Sequence, residues 1–480
     1  MLYSSNTYYL KKTVFIISIF IFFSELLYAR EKSIEMNIVK AEVEVYFSEQ
    51  FQYFCQNQKR KPIPINRKGT ARNYKRLSGD INSTKSLSLE GQNITTVPAN
   101  VFKMKDLIKL DLSNNNIEEL PKEFVSLKKL REIKLNKNKL KLFPLELLEL
   151  PNLEIIELAG NQISSLEANF SKLKKLERID ISKNKIKDIN ISFSQCDFLK
   201  NIDLSGNKIR YFNFDECPYS VESINLDKNQ ISVIPPSVGN LKKMHYLSLA
   251  DNYLTELPKE FYQLSSLKYL DLSANEIAEL SNDFSKLNSL CTLNIGGNRL
   301  KDLPVSMKNM GNLTVLKISH SKTRLLPSQI FQMSNLLALD ISGNHLKKVS
   351  NSLRNLRKIK ELDLSYNNFT EIPEIIFELP LLQHLNMSYN FLNKISANIK
   401  SLGQLVTLNL TDNNINELPN EMVFLQNCKI ILLANNKIKY LPDSLSNLSN
   451  LRMLDLKQNL LSNSEKERIK RVLGNTRFIF

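Results

Sequence analysis

Residues 110–117 read LDLSNNNI, and residues 270–277 read LDLSANEI. The shared pattern, L-x-L-x-x-N-x-L, occurs in seventeen copies that begin 23 residues apart, except for one step of 22 between residues 202 and 224. A fixed period of this length is typical of a solenoid, in which each repeat buries its apolar face against its neighbours. The copies begin at Leu87, so the solenoid accounts for most of the 480 residues.

The residue types within each copy predict its local structure. In Leu110-Asp111-Leu112 the alternation predicts a short strand with both leucines inward and Asp111 outward. The position three residues after the second leucine is asparagine in fifteen of the seventeen copies; Gln92 and Ser321 are the exceptions. A carboxamide donates and accepts, so we expect a ladder of asparagines to satisfy backbone groups where the chain leaves the strand.

Proline recurs in the second half of ten copies. Because proline fixes φ and removes a donor, it predicts short helical turns or extended segments there, not long helices. Glu167, Asn190 and Asn213 replace the proline in copies four to six, and we expect the curvature to change there.

This repeat resembles the 23-residue class of the leucine-rich repeat family, which has Leu-Pro in its outer half. The resemblance covers about 390 of the 480 residues. It implies an α/β solenoid, a curved horseshoe of about 17 repeats with a parallel concave sheet and short helical or extended convex segments. It also implies a protein-binding scaffold and not an enzyme. The sequence agrees, since it has no G-x-x-x-x-G-K-S/T, H-E-x-x-H, C-x-x-C or G-x-S-x-G motif.

The N-terminal segment predicts export. Lys11 and Lys12 precede an apolar run at residues 13–23, which is too short to span a bilayer but suits the core of a signal peptide. Cleavage after Ala29 would make residues 1–29 a signal peptide and the mature protein secreted, periplasmic or attached to the cell surface. An uncleaved anchor is the main alternative, and a start at Met36 is another.

Residues 30–83 are predicted to form an N-terminal cap and a basic linker. Residues 38–47 alternate like a strand, and residues 48–55 suit a short helix. Residues 59–76 contain eight cations and no acid, which favours either a solvated linker or contact with an anionic surface. Nucleic acid is not an expected partner, because the segment lacks interleaved aromatic residues.

The repeats are assigned to residues 84–463 and a helix-strand cap to residues 464–480. Ser464 and Glu467 suit a capping box before an amphipathic stretch, and residues 477–480 suit a last short strand. This ending is similar to the E-K-E-x-I-x-x-x-L-P-N-C-x-I-x-F tail of many bacterial secreted leucine-rich repeat proteins. It departs from that tail with Gly474 for proline and Thr476 for cysteine.

The five cysteines form no disulfide framework, because their number is odd. Cys196 and Cys428 occupy positions that are leucine in other copies, so both are expected to be buried. Cys196 and Cys217 lie at nearly equivalent places in adjacent coils, so a disulfide between them in an oxidising compartment is an alternative. No cofactor or metal is expected, since the histidines lie one or more coils apart and lack metal-ligand spacing.

The concave face is the predicted partner site. The position between the strand leucines forms an acidic column, which favours a protein partner with a basic patch: Asp111, Glu157, Asp180, Asp203, Asp271, Asp340, Asp363 and Asp455. Nearby cations are expected to relieve the repulsion within this column, the candidates being Arg178, Lys183, Lys200 and Lys360.

Copies ten to fourteen differ from the rest of the predicted concave face because they contain a cluster of aromatic residues and histidines. The position before the ladder residue runs Gly297, His320, Gly343, Tyr366, Tyr389, and the glycines predict a recess beside His320. Exposed tyrosines are favoured at interface hot spots, although tyrosine also simply suits strand edges. The predicted partner-binding residues are Tyr246, Tyr269, His320, Tyr366, His384, Tyr389, Asp340 and Asp363.

The sequence therefore favours an exported scaffold that recognises a macromolecular partner on its concave face. An intracellular signalling scaffold similar to the Ras-pathway leucine-rich repeat proteins is the alternative, and export separates the two. A third hypothesis is an adhesive surface protein whose basic convex side contacts anionic glycans.

The eleventh copy has Ser321 and Thr323 in place of asparagine and leucine, which predicts lower local stability.

Overall fold

The structure is a computed structural model that describes the backbone of residues 70–71 and the chain from residue 84 to 480, except residue 475. The predicted signal peptide at 1–29, the strand at 38–47 and the helix at 48–55 lie outside these residues. Only residues 70–71 of the cationic segment 59–76 lie inside them, and they form a strand where a linker was predicted.

Within the described residues, one parallel sheet of 19 strands lines the concave face. Each copy contributes a three-residue strand, in a register that places Leu87 beside Leu110 and Leu110 beside Ile133. The middle residue points into the core and its neighbours point outward. The strands are Thr70–Ala71, Ser86–Ser88, Lys109–Asp111, Glu132–Lys134, Ile155–Glu157, Arg178–Asp180, Asn201–Asp203, Ser223–Asn225, Tyr246–Ser248, Tyr269–Asp271, Thr292–Asn294, Val315–Lys317, Ala338–Asp340, Glu361–Asp363, His384–Asn386, Thr407–Asn409, Ile430–Leu432, Met453–Asp455 and Arg477–Ile479.

The asparagine ladder is confirmed. Asn115 Nδ2 donates to the carbonyl of Leu112 in its own coil at 2.9 Å and to that of Leu89 in the preceding coil at 2.8 Å. Its Oδ1 accepts from the backbone N–H of Ile94 at 3.1 Å. One buried side chain thus pairs backbone groups that the turn would otherwise leave without partners.

Short 3₁₀ helices form the convex side, as the prolines predicted. All ten prolines of this position are N-cap residues, with Pro121 at φ −75° before Lys122–Ser126 as an example. Where serine replaces proline, as at Ser281, its hydroxyl accepts the N–H two residues later. The helices are Ala99–Lys103, Lys122–Ser126, Leu145–Glu149, Phe170–Lys172, Phe214–Glu216, Pro236–Asn240, Lys259–Gln263, Asn282–Lys286, Val305–Asn309, Ser328–Gln332, Asn351–Asn355, Glu374–Glu378, Ala397–Ser401, Asn420–Phe424 and Asp443–Asn447.

Copies four and five add a second sheet of two parallel strands, Ser165–Asn169 and Asp188–Ser192. Glu167 faces Asn190 in its register, and both replace the usual proline. Unlike proline, both residues have a backbone N–H, so the chain can form the hydrogen bonds of a strand pair on the convex side.

The core is a continuous column between the sheet and the convex helices. Leu110, Leu112 and Phe124 of one coil are fully buried, and the rings of Phe170 and Phe193 in adjacent coils pack at 4.6 Å between centroids. Each coil is therefore stabilised mainly by its two neighbours. Cys196 and Cys217 are buried free thiols in this column, so the structure contains no disulfide between them.

A helix, Asn463–Val472, and the strand Arg477–Ile479 cover the last coil. The strand pairs in parallel with Met453–Asp455. The predicted cap at Ser464 is wrong by two residues: Ser462 is the N-cap, and its hydroxyl accepts from the N–H of Glu465 at 3.1 Å. The Glu465 carboxylate also accepts from the N–H of Leu441 at 3.0 Å, which fixes the helix on the solenoid.

Candidate binding face

Three outward positions per coil form the concave face. The first column contains the first residue of each strand, the third column contains the third, and the turn column contains the residue before the ladder asparagine. Turn-column residues have φ between 53° and 72°, the left-handed region. Glycine, asparagine and aspartate tolerate this conformation best, so Tyr366 at φ 53° and Tyr389 at φ 55° are held there at a local conformational cost.

The N-terminal part of the face neutralises its own charges. Lys109 Nζ lies 2.6 Å from the Glu132 carboxylate, and Lys134 Nζ lies 3.5 Å from both Glu132 and Glu157. Arg178 lies 3.9 Å from Glu157. Cations and carboxylates thus alternate between adjacent strands, and this part offers little unmatched charge to a partner.

Hydrogen bonds, more than cations, stabilise the acidic column. Asp363 Oδ1 accepts from the N–H of Ser365 at 2.9 Å and from its hydroxyl at 2.6 Å, and Oδ2 accepts from Asn386 at 3.0 Å. Asp340 accepts the corresponding two bonds from Ser342 at Oδ1. These aspartates therefore close the turn that follows each strand. Burial, and then the charge of Asp340, raise the pKa of Asp363 above its ordinary value.

The predicted cation pairing is correct only in part. Arg178 lies 3.8 Å from Asp180, as expected. Lys200 instead pairs with Glu222 at 3.5 Å, outside the column. The asparagines that donate to the column, such as Asn386, are its closer partners, and they occupy the same column one coil further on.

The predicted tyrosines form two stacked pairs. Tyr366 and Tyr389 lie 4.1 Å apart between ring centroids with planes 7° apart, and their exposed fractions are 51% and 40%. Tyr246 and Tyr269 stack at 4.6 Å and 7°. Burial, and then a hydrogen bond with Tyr366, raise the pKa of Tyr389, so its hydroxyl is neutral at pH 7. The pairs lie four coils apart, roughly 20 Å, and do not form one cluster.

The recess predicted beside His320 is not empty. A Cβ atom at Gly343 would lie 2.6 Å from the His320 ring, so the imidazole itself covers the glycine. His320 thus presents a ring face between the two tyrosine pairs.

His384 lies next to Glu361 in the sheet register. Burial lowers the pKa of His384, which is therefore mainly neutral at pH 7. Burial raises the pKa of Glu361 to about 7 against the opposing charges of Lys317 and Lys360. Glu361 is not among the site residues predicted from the sequence, although it is the one charged residue in the first column from Tyr246 to Ile430.

Comparison with protein-family models identifies the repeats. The model described as leucine rich repeat matches residues 82–140, 149–209, 220–277, 357–415 and 403–461, and that of a leucine-rich repeat region matches residues 259–374. The chain belongs to the leucine-rich repeat family. This family typically consists of non-enzymatic protein-interaction scaffolds.

Solved structures of other leucine-rich repeat proteins are similar to this one. A leucine-rich repeat protein of Leptospira interrogans is 28% identical, with a TM-score of 0.67 over 86% of this chain and 99% of that one. An internalin of Listeria monocytogenes is 19% identical, with a TM-score of 0.51 over 64% of this chain and 87% of that one. The functional domain of InlJ from the same organism is also 19% identical, with a TM-score of 0.51 over 77% and 80%. The similarity to the two Listeria proteins shows a shared fold and nothing more.

A comparison with curated proteins found no match. Within the part of this leucine-rich repeat protein that the structure describes, no helix has the length and apolarity needed to cross a bilayer. The same residues contain no group of three or more histidine, cysteine or acidic side chains arranged for a metal ion.

Proposed function

We propose that this leucine-rich repeat protein is exported and binds a partner protein on its concave face, between copies eight and fourteen. The stacked, half-exposed pair Tyr366–Tyr389 is the observation that carries the proposal. Both tyrosines occupy left-handed turn positions where smaller residues would be more stable. Stacked, half-exposed aromatic rings are the kind of surface that protein partners use as anchors, which supports a role in binding.

Charge supports the location and the type of partner. The N-terminal part of the face is self-paired, whereas Asp340 and Asp363 lie near the tyrosine pair and carry no salt bridge with any described residue. A partner surface with lysine or arginine would be attracted to this end, and its cations would also pack on the tyrosine rings. Export is supported by the apolar run at 13–23 and the small residue Ala29.

A double substitution, Tyr366→Ala with Tyr389→Ala, tests the face. Partner proteins would be cross-linked to the full chain at the cell surface, identified, and then titrated by surface plasmon resonance. We expect the double variant to lose about 30-fold in affinity, which corresponds to a 2 kcal/mol hot spot. The matched control is Tyr219→Ala with Tyr440→Ala, two tyrosines off the concave face that are 74% and 72% exposed. Equal affinities for both variants would contradict the proposal.

The mature N-terminus tests export separately. Mass spectrometry of protein from the native cell and its medium should find a chain that starts at Arg30 outside the cytoplasm. A cytosolic chain that starts at Met1 or Met36 would favour the intracellular signalling scaffold.

A further inference from the structure

A lateral strip of cations crosses copies ten to twelve. Residues 298–303 read NRLKDL, residues 321–326 read SKTRLL and residues 344–349 read NHLKKV. The period places these segments side by side, about 5 Å apart, on the side of the solenoid between the sheet and the 3₁₀ helices. Six exposed cations therefore share one surface: Arg299, Lys301, Lys322, Arg324, Lys347 and Lys348.

Most of this charge is uncompensated. Arg299 lies 3.1 Å from the Glu276 carboxylate. The other five cations form no salt bridge with any residue between 84 and 480 that the structure describes. Asp302, the acid inside the strip, accepts from the N–H of Leu303 at 2.8 Å. The strip thus differs from the N-terminal part of the concave face, where lysines and carboxylates pair.

The missing ladder residue changes the backbone beside this strip. Lys322 has φ 55° at a position that is otherwise left-handed only at Asn93. These two residues belong to the eleventh and first copies, the two that lack the ladder asparagine. Without the carboxamide, the turn is not tied to the preceding coil, and Thr323 replaces a residue that is buried and apolar in copies such as the second, at Ile117.

A groove opens at this irregularity. It consists of two adjacent cavities of 350 and 680 Å³ that share Leu325 and Lys348 in their walls. Leu325, which is 67% exposed, lies beside Leu326 and Val349 as an apolar floor. Arg324 and Lys347 stand at the rim.

We propose that this groove binds an extended acidic peptide segment of a partner protein. An apolar side chain of the segment packs on Leu325 and Val349, and its carboxylates face Arg324, Lys347 and Lys348. A sulfated glycan would match the charge but leave the leucine floor uncovered, and a flat membrane surface would not enter the groove. The site is independent of the concave face, which favours a basic partner.

Fluorescence anisotropy with the full chain tests the inference. The probe is the labelled peptide EELEELE, and the comparison peptides are EEEEEEE, which lacks leucine, and QQLQQLQ, which lacks charge. We expect EELEELE to bind at least about tenfold more tightly than either, because the groove offers both cations and an apolar floor. Binding should weaken between 50 mM and 300 mM salt, roughly as the Debye length shortens from above 10 Å to below 8 Å.

Charge reversal locates the site. The variant R324E/K347E/K348E should lose at least about tenfold in affinity for EELEELE. The control K394E/K437E/K439E reverses three exposed lysines of the corresponding lateral segments of copies fourteen and sixteen and should bind like the parent. Leu325→Ser should weaken EELEELE and leave EEEEEEE unchanged. Circular dichroism and thermal melting verify folding, and the single variant Lys348→Glu replaces the triple one if that does not fold.

Three results would overturn the inference. Equal losses in the two triple variants would show a general charge effect. Equal binding of EELEELE and EEEEEEE would show ion exchange without a groove. Tighter binding, dependent on Lys348, of a sulfated oligosaccharide or of phosphatidylserine vesicles would assign the strip to a different class of ligand.

Discussion

The asparagine ladder makes a quantitative prediction at Asn367. This side chain is 3% exposed; its Nδ2 donates to the carbonyls of Ile341 and Leu364, each at 3.1 Å, and its Oδ1 accepts from the N–H of Leu346 at 3.0 Å. The substitution Asn367→Ala removes all of these bonds and introduces no partner in their place. The Leu346 N–H is then buried without an acceptor.

The magnitude follows from the number of abandoned groups. A buried backbone group left without a partner costs about 1–3 kcal/mol, and the carbonyls lose a second bond each at a smaller cost. We expect Asn367→Ala to destabilise copies twelve and thirteen by about 3 kcal/mol. The matched control is Asn335→Ala, a half-buried asparagine whose Nδ2 donates to the Gly311 carbonyl of the preceding coil at 2.8 Å and whose Oδ1 accepts from Lys358 Nζ at 2.7 Å. That substitution should cost about 1 kcal/mol or less.

Hydrogen exchange is the suitable assay, because a long repeat array need not unfold in one step. The Leu346 amide should exchange about 100-fold faster in Asn367→Ala, as 1.4 kcal/mol corresponds to a factor of ten. Amides in copies three to six should keep their protection. If Leu346 exchanges at the parental rate, or if Asn335→Ala has the same effect, the assignment of ladder energy to Asn367 is wrong.

Three further predictions concern neighbouring positions. Ser321→Asn should restore the ladder and slow the exchange of the Leu300 amide. The expected gain in stability is about 1 kcal/mol, measured by urea unfolding followed by circular dichroism. An unchanged stability would show that the turn of copy eleven cannot adopt the ladder conformation. Gly343→Ala should lower stability by about 1–3 kcal/mol, since the new Cβ meets the His320 ring at 2.6 Å and φ is +60°. An unchanged His320 imidazole resonance in NMR spectra would refute that clash. Burial raises the pKa of Glu361 to about 7 in the folded state, above the ordinary value of 4.5, so the folded state holds this proton more tightly than the unfolded state. The stability that proton binding contributes is present below pH 4.5 and is lost as the pH rises to about 7. Glu361→Gln should therefore lose less stability than the parent between pH 5 and pH 8 in urea titrations.

The period made much of the fold predictable. Contacts in a solenoid join residues one repeat apart, so the spacing alone predicts that Tyr366 and Tyr389 are neighbours, and they stack. The chemistry of the recurring residues predicted the asparagine ladder and the short helical turns or extended segments at the prolines. The strands and 3₁₀ helices of the described coils contact mainly their counterparts one repeat away, which is why the pattern was sufficient.

Features outside the period were less predictable. Both Ser462 and Ser464 begin an S-x-x-E pattern, and the choice depends on Glu465, which reaches the Leu441 N–H and Arg468 in three dimensions. The prediction of a recess at Gly343 was wrong because the spacing of the repeats does not determine the rotamer of His320. The sequence pattern predicted the aspartates of the third column as exposed charges. In the structure they accept hydrogen bonds from the turn that follows each strand, and local backbone geometry determines those bonds.

Three departures from the repeat pattern bear on the two proposed binding sites. At position 321 asparagine would tie the turn, and at positions 366 and 389 a glycine or asparagine would fit the left-handed backbone more readily. Each observed residue is the less favourable choice for folding, and all three lie in copies eleven to fourteen. Natural sequences keep such locally unfavourable residues mainly where function requires them. The proposed lateral groove and the proposed tyrosine site both lie in this stretch of the solenoid, which is the pattern expected if recognition outweighs stability there.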